Sequence, residues 1–150
     1  MKLKNILFRK GFFKIKLKKI NTNHFEVKAI LNGVKGRFIL DTGASNSCLD
    51  ITLADKFKLS VEDSETKAAG AGAIGMETKI ATNNTIKFKG WKYKKFSLVL
   101  LDLTHVNTAL TEHHAKAVHG IIGADILEKG NAIIDYKDKC VYLKKLVFKH

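Results

Sequence analysis

The best-defined chemistry in this chain lies in one stretch, Arg37-Phe38-Ile39-Leu40-Asp41-Thr42-Gly43-Ala44-Ser45. Phe38 to Leu40 are an unbroken apolar run, which predicts a strand buried on both faces, and it leads straight into an acid followed by small residues. A carboxylate at the mouth of a core has two uses. It can cap the next turn by accepting backbone N–H bonds, or it can exchange protons with a bound substrate. Spacing alone leaves both open.

Three other groups invite a chemical reading, and each has a simpler structural one. Gly70, Gly72 and Gly75 match the dinucleotide-binding spacing G-x-G-x-x-G. That fingerprint needs an apolar strand before it, a helix after it and an acid about twenty residues on. Here the polar run Glu62 to Lys67 precedes, the alternating Met76 to Ile80 follows, and only lysines come later, so the segment reads as the tip of a β-hairpin. His105, His113, His114 and His119 share a polar connector with Glu112, at separations that match no familiar zinc pattern, so no metal is expected. Cys48 and Cys140 form no close pair and read as free buried thiols.

The run Asp41-Thr42-Gly43-Ala44-Ser45 after an apolar strand resembles the active-site loop of aspartic proteases. About eighty residues on, Gly120-Ile121-Ile122-Gly123-Ala124-Asp125-Ile126-Leu127 resembles their apolar-apolar-glycine element and the short helix after it. The resemblance is to the retropepsin-like (clan AA) family in its bacterial-type, single-domain form. It implies an all-β fold: a pepsin-like or retropepsin-like acid protease barrel, single lobe, with one short C-terminal helix. It also implies an aspartic endopeptidase that takes polypeptide substrates and uses no cofactor.

In aspartic proteases generally, two carboxylates about 3 Å apart share one proton and titrate as a pair. One takes a proton from water while the other gives one to the substrate carbonyl. The Asp-Thr-Gly motif occurs once in this chain. The implied second acid is therefore Asp41 of another copy, in a homodimer whose two-fold axis passes through the site. On the same resemblance Thr42 bonds across to the other loop, the Gly43 N–H donates to the carboxylate, and Ser45 adds a bond near its outer oxygen. Ile121, Ile122 and Gly123 would brace the loop from beneath. Gly72, Ala73 and Ile74 would form the flap tip, binding substrate backbone as an added strand. His119, just before Gly120, is a candidate to sit near the acid pair and tune its pH response. The alternative is a non-catalytic peptide-binding or dimerisation module of the same fold.

Length and composition bound these readings. The 150 residues make one domain, too small for two pepsin-like lobes. A formal net charge of +13 predicts non-specific attraction to anionic surfaces but names no partner, and no specific nucleic acid is expected. Met1 to Ile20 offers no signal-peptide core, and no stretch approaches the ~20 apolar residues of a membrane span, so the expected location is cytoplasmic. Lysines interleaved with Trp91, Tyr93 and Phe96 are read as a half-buried strand with solvated cations rather than a base-stacking platform.

The elements that must position Asp41 follow from periodicity. Phe13, Ile15 and Leu17 alternate with lysines, which predicts an edge strand over 12–20 guarded by charge. The alternating strand from Phe25 turns at Asn32-Gly33 and returns over Val34 to Leu40, delivering Asp41. Cys48 to Phe57 predicts a strand or a short helical turn. Strands are expected over 85–89, from Trp91, and over 96–103, with Gly120 to Ile122, a helical turn at 124–129 and a closing hairpin of 132–136 with 140–146. The expected division is a basic N-terminal strand or arm over 1–20 and a retropepsin-like domain over 21–150.

Overall fold

The computed structural model describes residues 2–63 and 77–147. Helix α1 (Leu3–Arg9) leads into β1 (Phe12–Lys16) and β2 (Lys18–Lys19). The hairpin of β3 (Phe25–Leu31) and β4 (Val34–Leu40) follows, then β5 (Cys48–Asp50) with a single 3-10 turn, and β6 (Ser60–Asp63). The long pair β7 (Lys79–Phe88) and β8 (Trp91–Leu101) precedes α2 (Thr104–Glu112), β9 (Gly120–Ile122) and α3 (Ala124–Lys129). Strands β10 (Ile133–Asp135) and β11 (Cys140–Lys144) end the described chain.

Six strands close on themselves. Hydrogen bonding runs β3-β4-β9-β5-β8-β7, and β7 returns to β3 through Ile30 opposite Lys87 and Leu31 opposite Ile86. Closure leaves no free edge in that ring. Strand β2 is added on β3 and β6 on β7, while β1, β11 and β10 make a separate small sheet.

The turn that starts β4 is local in origin. Asn32 and Gly33 have φ of 50° and 83°, the paired positive values of a tight hairpin turn, which Asn and Gly adopt at least cost. The Asn32 side chain then ties this turn to the rest of the barrel. Its Nδ2 donates to Phe57 O at 2.9 Å, and its Oδ1 accepts the Thr85 N–H at 2.9 Å. Along β3, Phe25, Val27, Ala29 and Leu31 are buried while Lys28 and Ile30 are exposed, the period of two expected of a strand with one face on a core. Phe38, Leu49, Phe57, Trp91 and Leu100 fill the barrel with almost no solvent exposure.

The fold is mixed α/β, with a six-stranded barrel and three helices among the described residues, and not the all-β fold with one short C-terminal helix anticipated above. Two helices overturn that expectation. Helix α2 lies within the polar histidine connector. Its sequence, Thr-His-Val-Asn-Thr-Ala-Leu-Thr-Glu, is rich in residues that lose side-chain freedom or compete for backbone bonds in a helix. It forms because Leu103, Val106 and Leu110, at helical spacing, pack on Ile39, Cys48, Leu101 and Ile121 outside the barrel. Burying a leucine such as Leu110 contributes about 1.5–3 kcal/mol. Helix α1 was masked by its cations and is held by one residue, Leu7, buried against Cys140 and Tyr142.

Candidate active site

Strands β4 and β9 run parallel, with Ile39 opposite Ile121 and Leu40 opposite Ile122. Where β4 ends, the ladder continues one step: the Asp41 N–H donates to Ile122 O at 2.9 Å. The sheet therefore fixes the Asp41 backbone before the chain turns. The turn is tight. Gly43 N–H donates to Asp41 Oδ1 at 2.9 Å, and Ala44 N–H donates to Asp41 O at 3.2 Å. A Cβ on residue 43 would lie 3.3 Å from that same Oδ1, so any side chain there would crowd the carboxylate. The capping bond raised as one use of Asp41 is thus made, and the carboxylate remains partly exposed above the turn.

Beneath the turn lies a buried polar clamp. Ser47 is fully buried, and its hydroxyl donates to Asp125 Oδ1 at 2.7 Å while accepting the Gly123 N–H at 2.8 Å. Ser47 N–H donates to the same Asp125 oxygen at 2.9 Å, and Ala124 N–H donates to Ala44 O at 2.7 Å. Each buried polar group so paired avoids a desolvation cost of ~1–3 kcal/mol. Loop 41–47 is thereby bonded at several points to the corner where β9 becomes α3. Gly123 is required there, because a Cβ would stand 2.6 Å from Ala44 O.

Of the anticipated site residues, the structure brings Asp41, Thr42, Gly43 and Ser45 together on one loop, with Thr42, Gly43 and Ser45 exposed. Ile121, Ile122 and Gly123 lie buried directly alongside it. Gly72, Ala73 and Ile74 lie outside the described residues. Sequence reasoning missed Ser47 and Asp125. Asp125 stands in the first turn of α3, where an acid is unremarkable because it favours the helix dipole. Only the fold shows that it reaches back 78 positions to Ser47.

His119 is not beside Asp41. Its Nδ1 accepts the Arg37 N–H at 2.9 Å, so it sits four residues upstream of Asp41 along β4, roughly 13 Å of strand. Because a backbone N–H can only donate, Nδ1 carries no proton and neutral His119 has its hydrogen on Nε2. Burial, then the charges of Lys56 and Arg37, push its pKa below the ordinary imidazole value. Cys48, next to Ser47, is a free buried thiol whose pKa burial pushes up to about 12, with Asp125, Asp41 and Asp50 adding to the shift. It stays protonated and is no nucleophile. A cleft of about 540 Å³ flanks the loop, lined by Thr42, Ala124, Leu127, Glu128 and Ile134 among others. Among the described residues no three His, Cys, Asp or Glu side chains converge as they would around a metal ion.

An apolar strand ending in Asp-Thr-Gly, braced by a parallel Ile-Ile-Gly strand that enters a short helix, is the arrangement that the sequence motifs imply. Residues 27–126 match the family model described as aspartyl protease. The chain belongs to that family, within the retropepsin-like (clan AA) superfamily. Solved structures share the fold of this retropepsin-like chain at low sequence identity. A retropepsin-like aspartic protease from Rickettsia conorii is 22% identical with a TM-score of 0.54, covering 90% of this chain and 91% of that one. The EIAV protease complexed with the inhibitor HBY-793 is 23% identical with a TM-score of 0.53, over 82% and 91% of the two chains. The retroviral protease-like domain of Ddi1 from Leishmania major is 19% identical with a TM-score of 0.51, over 81% and 93%. A search of curated proteins returns no match.

Proposed function

We propose that this retropepsin-like chain is an aspartic endopeptidase that works as a homodimer, with the Asp41 carboxylates of two copies activating one water between them. The observation that carries the proposal is the placement of Asp41: at the end of a barrel strand, partly exposed, with Oδ1 held by the Gly43 N–H on a loop anchored from below by Ser47 and Asp125. Such anchoring holds a reacting group in a fixed attitude, which is what proton transfer to and from water requires.

One Asp-Thr-Gly loop supplies one carboxylate, and a two-fold axis supplies its twin. The shared proton leaves one acid ionised to take a proton from water and the other protonated to donate to the carbonyl oxygen. Thr42, exposed at the loop tip, is assigned the bond to the partner's loop. Ser45 and the flap residues Gly72, Ala73 and Ile74 are assigned to substrate, an extended polypeptide.

The test is Asp41→Asn, assayed for hydrolysis of a peptide library alongside sedimentation of both proteins. Loss of hydrolysis with fold and dimer retained is the expected result. Persistent cleavage by the variant would refute the proposal. A wild-type chain that binds a pepstatin-type inhibitor but hydrolyses nothing would instead make it a peptide-binding module of the same fold.

A further inference from the structure

Two clefts among the described residues lie on the outer face of β3 and β4 and not at Asp41, and both are lined by cations. One, about 630 Å³, is bounded by Lys16, Lys19 and Lys139; the other, about 570 Å³, by Lys35, Lys87, Lys116 and Arg37. Lys18, Lys28, Lys89 and Glu26 line both, so the clefts are continuous. Together they hold nine lysines and one arginine against the single acid Glu26.

That acid is already committed. Glu26 is buried and lies 3.4 Å from Arg37 Nε in a salt bridge. The guanidinium is also tethered through Nη2, which donates to Ala117 O at 2.8 Å. Arg37 and Glu26 therefore cancel in charge, and the lysines remain as exposed ammonium groups. The field extends past the rim. Lys92 pairs with Lys87 in the β7–β8 register, and repulsion from Lys94, then burial and Lys87, lowers the Lys92 pKa.

We propose that this groove binds the phosphodiester backbone of duplex nucleic acid without reading its sequence. Three features select that occupant. Nine ammonium groups around one already paired acid sum to a strong positive field, which suits the dense, regularly spaced phosphate charge of a duplex. No Phe, Tyr or Trp lines the clefts, which removes the stacking platform that single strands use. The two clefts join through shared lining residues into one concave surface, which matches a backbone ridge rather than a flat bilayer. Binding here is independent of the peptidase reading, because no residue of the Asp41 loop lines either cleft.

The experiment is fluorescence anisotropy of the full chain with a labelled DNA duplex of about 20 base pairs across a salt series. The comparison is between the triple variant Lys28→Gln, Lys87→Gln, Lys89→Gln and a control triple, Lys2→Gln, Lys10→Gln, Lys145→Gln, which removes the same charge outside the clefts. The groove triple is expected to bind roughly tenfold or more weakly near 0.1 M salt. Its slope of log K against log salt should flatten by about 2 to 3, while the control changes little. Equal losses in the two variants would overturn the proposal, since net charge and not the groove would then be binding. Displacement of the duplex by poly-glutamate of matched charge at equal or lower concentration would overturn it in favour of an acidic polypeptide. Capture by anionic vesicles without duplex binding would do so in favour of a membrane surface.

Discussion

The corner that carries Asp41 and the cationic face beyond it are built on opposite physical plans, although β4 runs from one to the other. At the corner, small residues let backbones approach closely, and three hydrogen bonds of 2.7 to 2.9 Å tie Ser47 to Gly123 and Asp125. On the cationic face the lysines are exposed and share a single acid that is itself paired with Arg37. One region works by fixed geometry and the other by summed charge. Geometry fails when a single atom is added or removed, whereas a field of many solvated charges declines in small steps.

The contrast can be broken most sharply at the carboxylate. Asp41→Asn is expected to lower peptide hydrolysis by about 10²–10⁴-fold, the range set by loss of general acid–base catalysis, with an unchanged unfolding midpoint. Asparagine keeps the Oδ1 that accepts the Gly43 N–H, so a parallel fall in stability would show that the charge of Asp41, and not its turn bond, supports the fold. Gly123→Ala comes next. With Ala44 O 2.6 Å from the new methyl position, the loop must shift, at a cost of about 1–3 kcal/mol in denaturant unfolding and with weaker hydrolysis. Ser47→Ala leaves the Gly123 N–H without its acceptor and Asp125 Oδ1 with only the residue-47 N–H, for about 1–3 kcal/mol. A change below about 0.5 kcal/mol would mean that the clamp does not brace the loop.

His119 separates the regions by pH. Its folded pKa is depressed, so below the ordinary imidazole value of 6.5 the unfolded chain takes up a proton that the folded chain resists. The associated stability is present above that pH and is lost as pH falls toward the folded pKa. His119→Gln should remove this component from the unfolding midpoint measured against pH, yet leave the pH–rate profile of hydrolysis in place, because residue 119 lies far along β4 from Asp41. A shifted rate profile would overturn that separation. The smallest effect is expected from the groove lysines. Replacing Lys28, Lys87 and Lys89 by glutamine should alter stability by no more than about 0.5 kcal/mol per site, and a larger loss would make the cationic face structural.

Much of this was legible in the chain itself because it depends on near neighbours. The Asn32-Gly33 turn, the alternation along β3, the apolar run into Asp41 and the Gly43 N–H bond all arise within a few residues, and local sterics and periodicity decide them. The same holds for the helix α3 that follows Gly123. Tertiary structure alone decided the rest. Helix α2 exists because Leu103, Val106 and Leu110 find a barrel face to cover, Ser47 and Asp125 meet only once β9 lies beside β4, and lysines scattered from Lys16 to Lys139 form one groove only after the ring closes. Burial, partner choice and summed charge depend on which distant residues become neighbours, and no short stretch of sequence contains that information.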